Sequence, residues 1–268
     1  MALYVVSDIH GQYDLYLKML EKIGFNDKDT LFIAGDMIDR GPASIELVED
    51  IMSRKNIISI IGNHELFMID NLERHPAGSF WTSKGNGGTK TKEAFLKLPE
   101  DRQEKIMDFI KNLYLQYEIT VGDRKVLIHH SYFILEENTV KARDFNHKTV
   151  FDCVWNSPWR TWEYVDKNEY TKDNRLHIIG HVPVQAIDIM EWGIKEETHG
   201  WTGYVKPEMP CAFEDKKNNI VNIDLGCAIL GKKLSKELLE EYKPCLCCMD
   251  ITAYVEGKEN AFVYIDFQ

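Results

Sequence analysis

Two rhythms of apolar residues run through this chain. Residues 3–6, 31–34, 57–61, 126–128 and 178–179 are short runs of Val, Ile, Leu, Ala and aromatic residues. Each is followed by polar residues or glycine, the pattern of a buried strand. Between the first two, residues 13–23 predict a helix, with Leu17 and Leu20 in its apolar stripe and Gly24 as its stop. Pro42 can open the next helix, where Ile45, Val48 and Met52 recur at helical spacing. Strand, helix, strand, helix, strand in that order predicts βαβ units with parallel pairing.

Residues 66–118 break the rhythm. Ile106, Phe109, Ile110 and Leu113 keep helical spacing, so this stretch predicts a mainly helical insertion. Residues 83–91, with Gly85, Gly87 and Gly88, predict a loop between its helices. Strand character returns with Ile220, Ile223 and Leu225, and residues 252–255 and 261–265 predict a terminal strand pair. No internal repeat or linker interrupts the 268 residues, so residues 1–268 are expected to form one domain.

Composition narrows the function classes. A net charge of -11 disfavours a nonspecific nucleic-acid binder. No apolar run reaches membrane-spanning length, and residues 1–6 carry no basic leader, so a cytoplasmic protein with reduced thiols is expected. The Cys245-Leu246-Cys247-Cys248 cluster lacks a second ligand pair at zinc-finger spacing and predicts packed thiols.

The chemistry sits where the apolar runs end. The first leads to Asp8 and His10, the second to Asp36, the third to Asn63 and His64, the fourth to His129 and His130, and the fifth to His181. Ligands gather outside the carboxyl ends of strands in α/β sheets. Mixed Asp, Asn and His donors suit Mn, Fe or Zn better than Ca or Mg. Taken singly, each residue has a bland role as a turn, a cap or a core histidine. Helix capping does not call for such a residue after every strand.

The stretch Gly35-Asp36-Met37-Ile38-Asp39-Arg40-Gly41 is more specific. Five fixed positions recur by chance on the order of once in a million starts. With Asp8-Ile9-His10-Gly11 before it and Gly62-Asn63-His64-Glu65 after it, the chain resembles the phosphoprotein-phosphatase superfamily, the calcineurin-like metallophosphoesterases. Asn86-Gly87-Gly88, Gly180-His181 and Asp224-Leu225-Gly226 extend the resemblance. It implies an α/β sandwich of two packed β-sheets flanked by helices. It also implies two divalent ions, Mn preferred, that activate a bridging hydroxide. Asp8 and His10 are assigned to one metal, with Asp36 bridging. Asn63, His129 and His181 are assigned to the other, His129 being preferred over His130 because it directly follows residues 126–128. His64 becomes the general acid, oriented by Asp39. Arg40, Asn63 and, from a later loop, Arg160 become phosphate contacts.

A serine/threonine phosphoprotein phosphatase is the leading expectation. Its partners would be a phosphoprotein or a small phosphorylated molecule, with no nucleic acid or membrane. One departure bears on substrate: the family's protein phosphatases carry an arginine before Gly-Asn-His-Glu, whereas this chain has Ile61. An aliphatic residue there resembles the dinucleoside tetraphosphate hydrolases, the second expectation. A silent binding module is the third, and the intact His64, Asp39 and Arg40 argue against it.

Overall fold

The computed structural model describes residues 1–158, 170, 172–186, 212–231, 236, 239–240 and 243–266. Three parallel strands, β1 (Leu3–Val6), β2 (Thr30–Ala34) and β3 (Ile57–Ile60), are joined by α1 (Tyr13–Lys22) and α2 (Ser44–Ser53). After β3 come α3 (Asn63–Leu72), α4 (Thr89–Leu96) and α5 (Glu100–Lys111). The strands β4 (Tyr114–Val121), β5 (Arg124–His129) and β6 (Val140–Lys141) follow, then α6 (His147–Trp155) and β7 (Leu176–Ile179). The last elements are β8 (Phe213–Asp215), β9 (Ile220–Asn222), β10 (Cys245–Asp250), α7 (Ile251–Val255) and β11 (Phe262–Asp266).

The strand order is β11-β10-β1-β2-β3-β4-β5-β7-β9-β8, with β6 paired to β4. The α/β class agrees with the expectation. The two sheets, however, are joined into one hydrogen-bonded sheet. Their seam is narrow: β3 and β4 pair only at Ile60 and Tyr114, and the Ile61 amide donates to the Tyr114 carbonyl. Around that seam the sheet curls until its two halves face each other. Phe32 of β2 meets Tyr117 of β4 at a ring separation of 5.4 Å.

Strand alternation divides the core in two. Val5, Phe32, Ala34, Cys245, Cys247 and Met249 point between the halves, against Val126, Ile128 and Ile178. Val6, Leu31, Ile33, Leu246 and Cys248 point the other way, against the helices. The cysteine cluster is therefore strand core, and burial pushes the Cys248 thiol well up. In α1 the buried face is Leu15, Tyr16, Met19 and Leu20, whereas Leu17 is exposed. Residues 252–255, expected as a strand, lie in α7, because the Asp250 side chain accepts the Ala253 amide and caps a helix there. The strand pair is instead β10 with β11. Residues 66–118 are mostly helical, but β4 begins at Tyr114, and α4 takes up Thr89 at the end of the expected loop.

Candidate metal centre

The loops leaving β1, β2, β3, β5 and β7 meet at one point. The His130 ring donates from Nδ1 to the Ala34 carbonyl at 2.8 Å, and the Gly180 amide donates to the His130 carbonyl at 2.9 Å. The His181 amide donates to Asp8 Oδ2 at 3.0 Å. These bonds tie the carboxyl ends of β2, β5, β7 and β1 together. Backbone strain is concentrated here. Asp8, His10, Asp36, Asp39, Arg40 and His181 have φ of 50°, 48°, 51°, 74°, 64° and 71°. A non-glycine residue held in the left-handed region costs about 1–3 kcal/mol, which surrounding contacts must over-determine.

Glu65 supplies much of that restraint. It is fully buried in the first turn of α3. Its Oε2 accepts the amides of Asp36 at 3.0 Å and Gly62 at 2.9 Å, and its Oε1 accepts Met37 at 2.9 Å and Ile38 at 3.3 Å. One carboxylate thus shapes the loop after β2 and caps α3. Burial outweighs those four donors and pushes its pKa up to about 7. Two glycines make the approach of the acids feasible. A methyl group on Gly62 would lie 2.2 Å from Asp36 Oδ1, and one on Gly180 would lie 2.0 Å from Asp8 Oδ2.

Asp36 sits between two sets of donors. On one side its Oδ2 lies 3.5 Å from His10 Nε2, which is 4.0 Å from Asp8 Oδ1. On the other, its Oδ1 lies 3.5 Å from His130 Nε2. The Asn63 Oδ1 lies 3.1 Å from His130 Nε2 and 2.9 Å from His181 Nδ1. His10, Asp36 and His64 converge closely enough to share an ion, and so do Asp36, His130 and His181.

Backbone carbonyls set the tautomers. His10 Nδ1 donates to Ile38 O at 2.9 Å, and His181 Nε2 donates to Trp155 O at 3.0 Å. With the His130 bond to Ala34, this leaves His10 Nε2, His130 Nε2 and His181 Nδ1 as lone-pair nitrogens aimed at the acids. Burial lowers all three rings' pKa values, that of His130 to about 3, so the imidazoles are neutral. The acids move oppositely. Burial, then Asp224 and Asp36, raises Asp8 well above the usual range; burial, then Glu65, does the same to Asp36. Crowded acids beside neutral imidazoles form a donor set that fits divalent cations, whose charge would relieve the repulsion.

His64 differs from the other rings. Its Nδ1 lies 2.7 Å from Asp39 Oδ2, and its buried Nε2 has no hydrogen-bond partner among the described residues. Trp81 Nε1 donates to both Asp39 oxygens, at 3.1 and 2.9 Å, and Ser44 Oγ accepts the Asp39 amide at 2.9 Å. Trp81 is itself fully buried and packed on Gly88, where a methyl group would lie 2.4 Å from the ring. Arg40 donates to His10 Nε2 at 3.1 Å.

The structure thus brings together Asp8, His10, Asp36, Asp39, Arg40, Asn63, His64 and His181. It does not bring His129 to this point. Alternation along β5 puts His129 on the face of Leu127, opposite Val126 and Ile128. Its Nε2 meets His177 Nδ1 at 3.1 Å, and its ring packs near Phe133 and Tyr170. His130, one residue beyond the strand, faces Asp36 instead. Arg160 lies outside the described residues. Two contributors escaped the sequence reading. Glu65 was findable as the glutamate three residues after a helix N-cap. Trp81 carries no spacing signal, since its partner is 42 residues away.

The calcineurin-like phosphoesterase family matches residues 1–205, more than three quarters of the chain. The chain belongs to the calcineurin-like phosphoesterases. Among this phosphoesterase's relatives is a symmetrical bis(5'-nucleosyl)-tetraphosphatase of Buchnera aphidicola, 48% identical over 71 residues, 26% of each chain. Another is serine/threonine-protein phosphatase 2 of Salmonella typhimurium, 32% identical over 130 residues, 48% of this chain and 57% of that one. The phosphoesterase therefore matches only 26% of the length of the first and 57% of the second. Its fold resembles a crystal structure described as a putative diadenosine tetraphosphatase, with a TM-score of 0.57 at 14% identity over 100% of this chain and 94% of that one. A Saccharomyces cerevisiae protein serine/threonine phosphatase gives the same TM-score and identity over 100% of this chain and 80% of its own.

Proposed function

We propose that this phosphoesterase hydrolyses phosphate monoesters with two divalent ions, Mn preferred, and that its leading substrates are phosphoserine and phosphothreonine in proteins. The observation that carries the reading is the position of Asp36, each of whose oxygens faces a different donor set. Asp8 and His10 would hold one ion, Asn63, His130 and His181 the other, and Asp36 both. When bound, such a pair supplies an activated water near neutral pH and neutralises charge on the phosphoryl oxygens.

The chain's own residues do the rest. Asp39 accepts the His64 Nδ1 proton and fixes the ring, leaving Nε2 to hold a proton for the leaving oxygen. Burial keeps the free His64 ring neutral, and the negative charge of a bound phosphate favours its protonation. Arg40 now donates to His10 Nε2, a nitrogen with one lone pair. Were that lone pair held by a cation, the Arg40 guanidinium, a planar fork suited to phosphate, would be free to turn to the substrate. Asn63 offers its amide nitrogen to the same phosphate. Arg160 is the further arginine proposed for that role.

A second reading, hydrolysis of dinucleoside tetraphosphates, is supported by Ile61. That side chain is buried in the core against the helices, so no guanidinium reaches the site from this position. No helix among the described residues is long and apolar enough to cross a membrane. We place the activity in the cytoplasm, with the buried cysteines as reduced thiols.

The experiment is a side-by-side assay of phosphopeptides and diadenosine tetraphosphate at equal Mn concentration. Metal-dependent release of phosphate from phosphopeptides is the expected result. Efficient turnover of the dinucleotide with barely any phosphopeptide cleavage overturns the protein-substrate reading and leaves the second.

A further inference from the structure

A second cluster of metal-ligating side chains lies away from this centre, on the outer side of α3 and α6. Asp70, two turns into α3, has a buried side chain, 4% exposed. Among the described residues, its ion-pair partners are two imidazoles. His147, the first residue of α6, places Nε2 at 3.0 and 2.9 Å from the two Asp70 oxygens. His75 places Nδ1 3.7 Å from Asp70 Oδ1. The two rings lie 4.0 Å apart at an interplanar angle of 31°. One atom from each of the three residues falls within 4.8 Å of the others.

A buried carboxylate needs a compensating charge. A divalent cation held between the carboxylate and the two imidazoles would supply it. Two imidazoles with one carboxylate are a common donor set for zinc. We infer that Asp70, His75 and His147 form a zinc site distinct from the catalytic pair, stapling α3 to α6.

Three protein ligands leave a fourth position for water, and the half-exposed histidines give the ion a route in from solvent. The interaction displaced is weak. His75 Nδ1 accepts the Ala77 amide at 3.2 Å, a long bond at the start of a short 3-10 turn. Asp70 is already held in register, since its carbonyl accepts the His75 amide at 2.7 Å. The two stapled helices both reach the catalytic centre. The first two residues of α3 are Asn63 and His64, and the last residue of α6 is Trp155, whose carbonyl holds His181. Zinc here fixes the spacing of two supports of the centre without touching substrate.

The test is zinc stoichiometry after equilibrium dialysis, comparing wild type with His147→Gln and His75→Ala. Glutamine can still donate to Asp70 but supplies no imidazole nitrogen, so His147→Gln separates a hydrogen-bonding role from a ligand. The expected result is one fewer zinc ion per chain in both variants, with catalytic turnover in saturating Mn within about twofold of wild type. Zinc should also raise the melting temperature of wild type more than that of His147→Gln. Equal zinc content in wild type and both variants overturns the inference and leaves Asp70 and His147 as a hydrogen-bonded pair.

Discussion

The two halves of the centre are built by different means. The loops after β1, β2 and β3 carry their donors within contiguous motifs, and one buried residue, Glu65, holds four of their amides. The loops after β5 and β7 carry single histidines with little local pattern. They are positioned by bonds to the first half, His130 to Ala34 and His181 to Asp8, while the Trp155 carbonyl at the end of α6 holds the His181 ring. The first half is specified by short-range chemistry, the second by how far the sheet curls. Side chains of the first kind are identified by motif, whereas those of the second are identified only by the face they occupy.

The sharpest way to break that comparison is the adjacent histidine pair. His130→Ala removes a proposed ligand and should lower kcat by about 10²–10³-fold, the scale of losing one main electrostatic contributor. It should also lower Mn binding by one equivalent. His129→Ala should keep both ions and instead reduce stability by about 1–3 kcal/mol, since His177 Nδ1 loses its buried partner. Metal analysis and thermal unfolding of the two variants decide it. A His129 variant that loses metal while the His130 variant retains it reverses the assignment.

A comparable effect tests the general acid. His64→Ala should lower turnover of alkyl phosphates by about 10²–10³-fold. An activated aryl phosphate, whose leaving group needs little proton, should suffer much less. Metal content should be unchanged. The ring does lie 3.9 Å from Asp36 Oδ2, near enough to serve as a ligand instead. Loss of a metal ion from this variant gives it that role.

The smallest effect comes from Trp81. Trp81→Phe keeps the packing but removes the indole donor from Asp39. Supports of this kind are typically worth about 10-fold in activity. Burial already pushes the Asp39 pKa up to about 7, and the indole bond opposes that rise. Without the bond the pKa climbs further, and Asp39 needs a higher pH to ionise. The acid limb of the kcat profile should therefore move to higher pH. An unmoved limb assigns Trp81 a packing role alone.

These cases show how much of the molecule was legible in residues alone. The strands of the βαβ half were readable because they are buried on both faces and end in specific motifs. Asp8, His10, Asp36, Asn63 and His64 followed from those ends. Adjacency to an apolar run favours His129, whereas alternation along β5 turns His129 towards His177 and leaves His130 facing Asp36. Leu127 and His129 share a face, and that parity was present in the sequence. Residues 252–255 read as a strand because Thr252, Tyr254 and Val255 favour one locally, and the Asp250 cap draws them into a helix instead. The seam between β3 and β4 rests on a single residue pair, which no periodicity announces. Trp81 reaches Asp39 only through tertiary packing.

The central claim is that Asp36 bridges two ions, each completed by a different half of the sheet. Anomalous scattering from crystals grown with Mn tests it most directly. The account predicts two peaks flanking the Asp36 carboxylate, one against Asp8 and His10 and the other against Asn63, His130 and His181. A single peak, or a second peak beside His129, would contradict it.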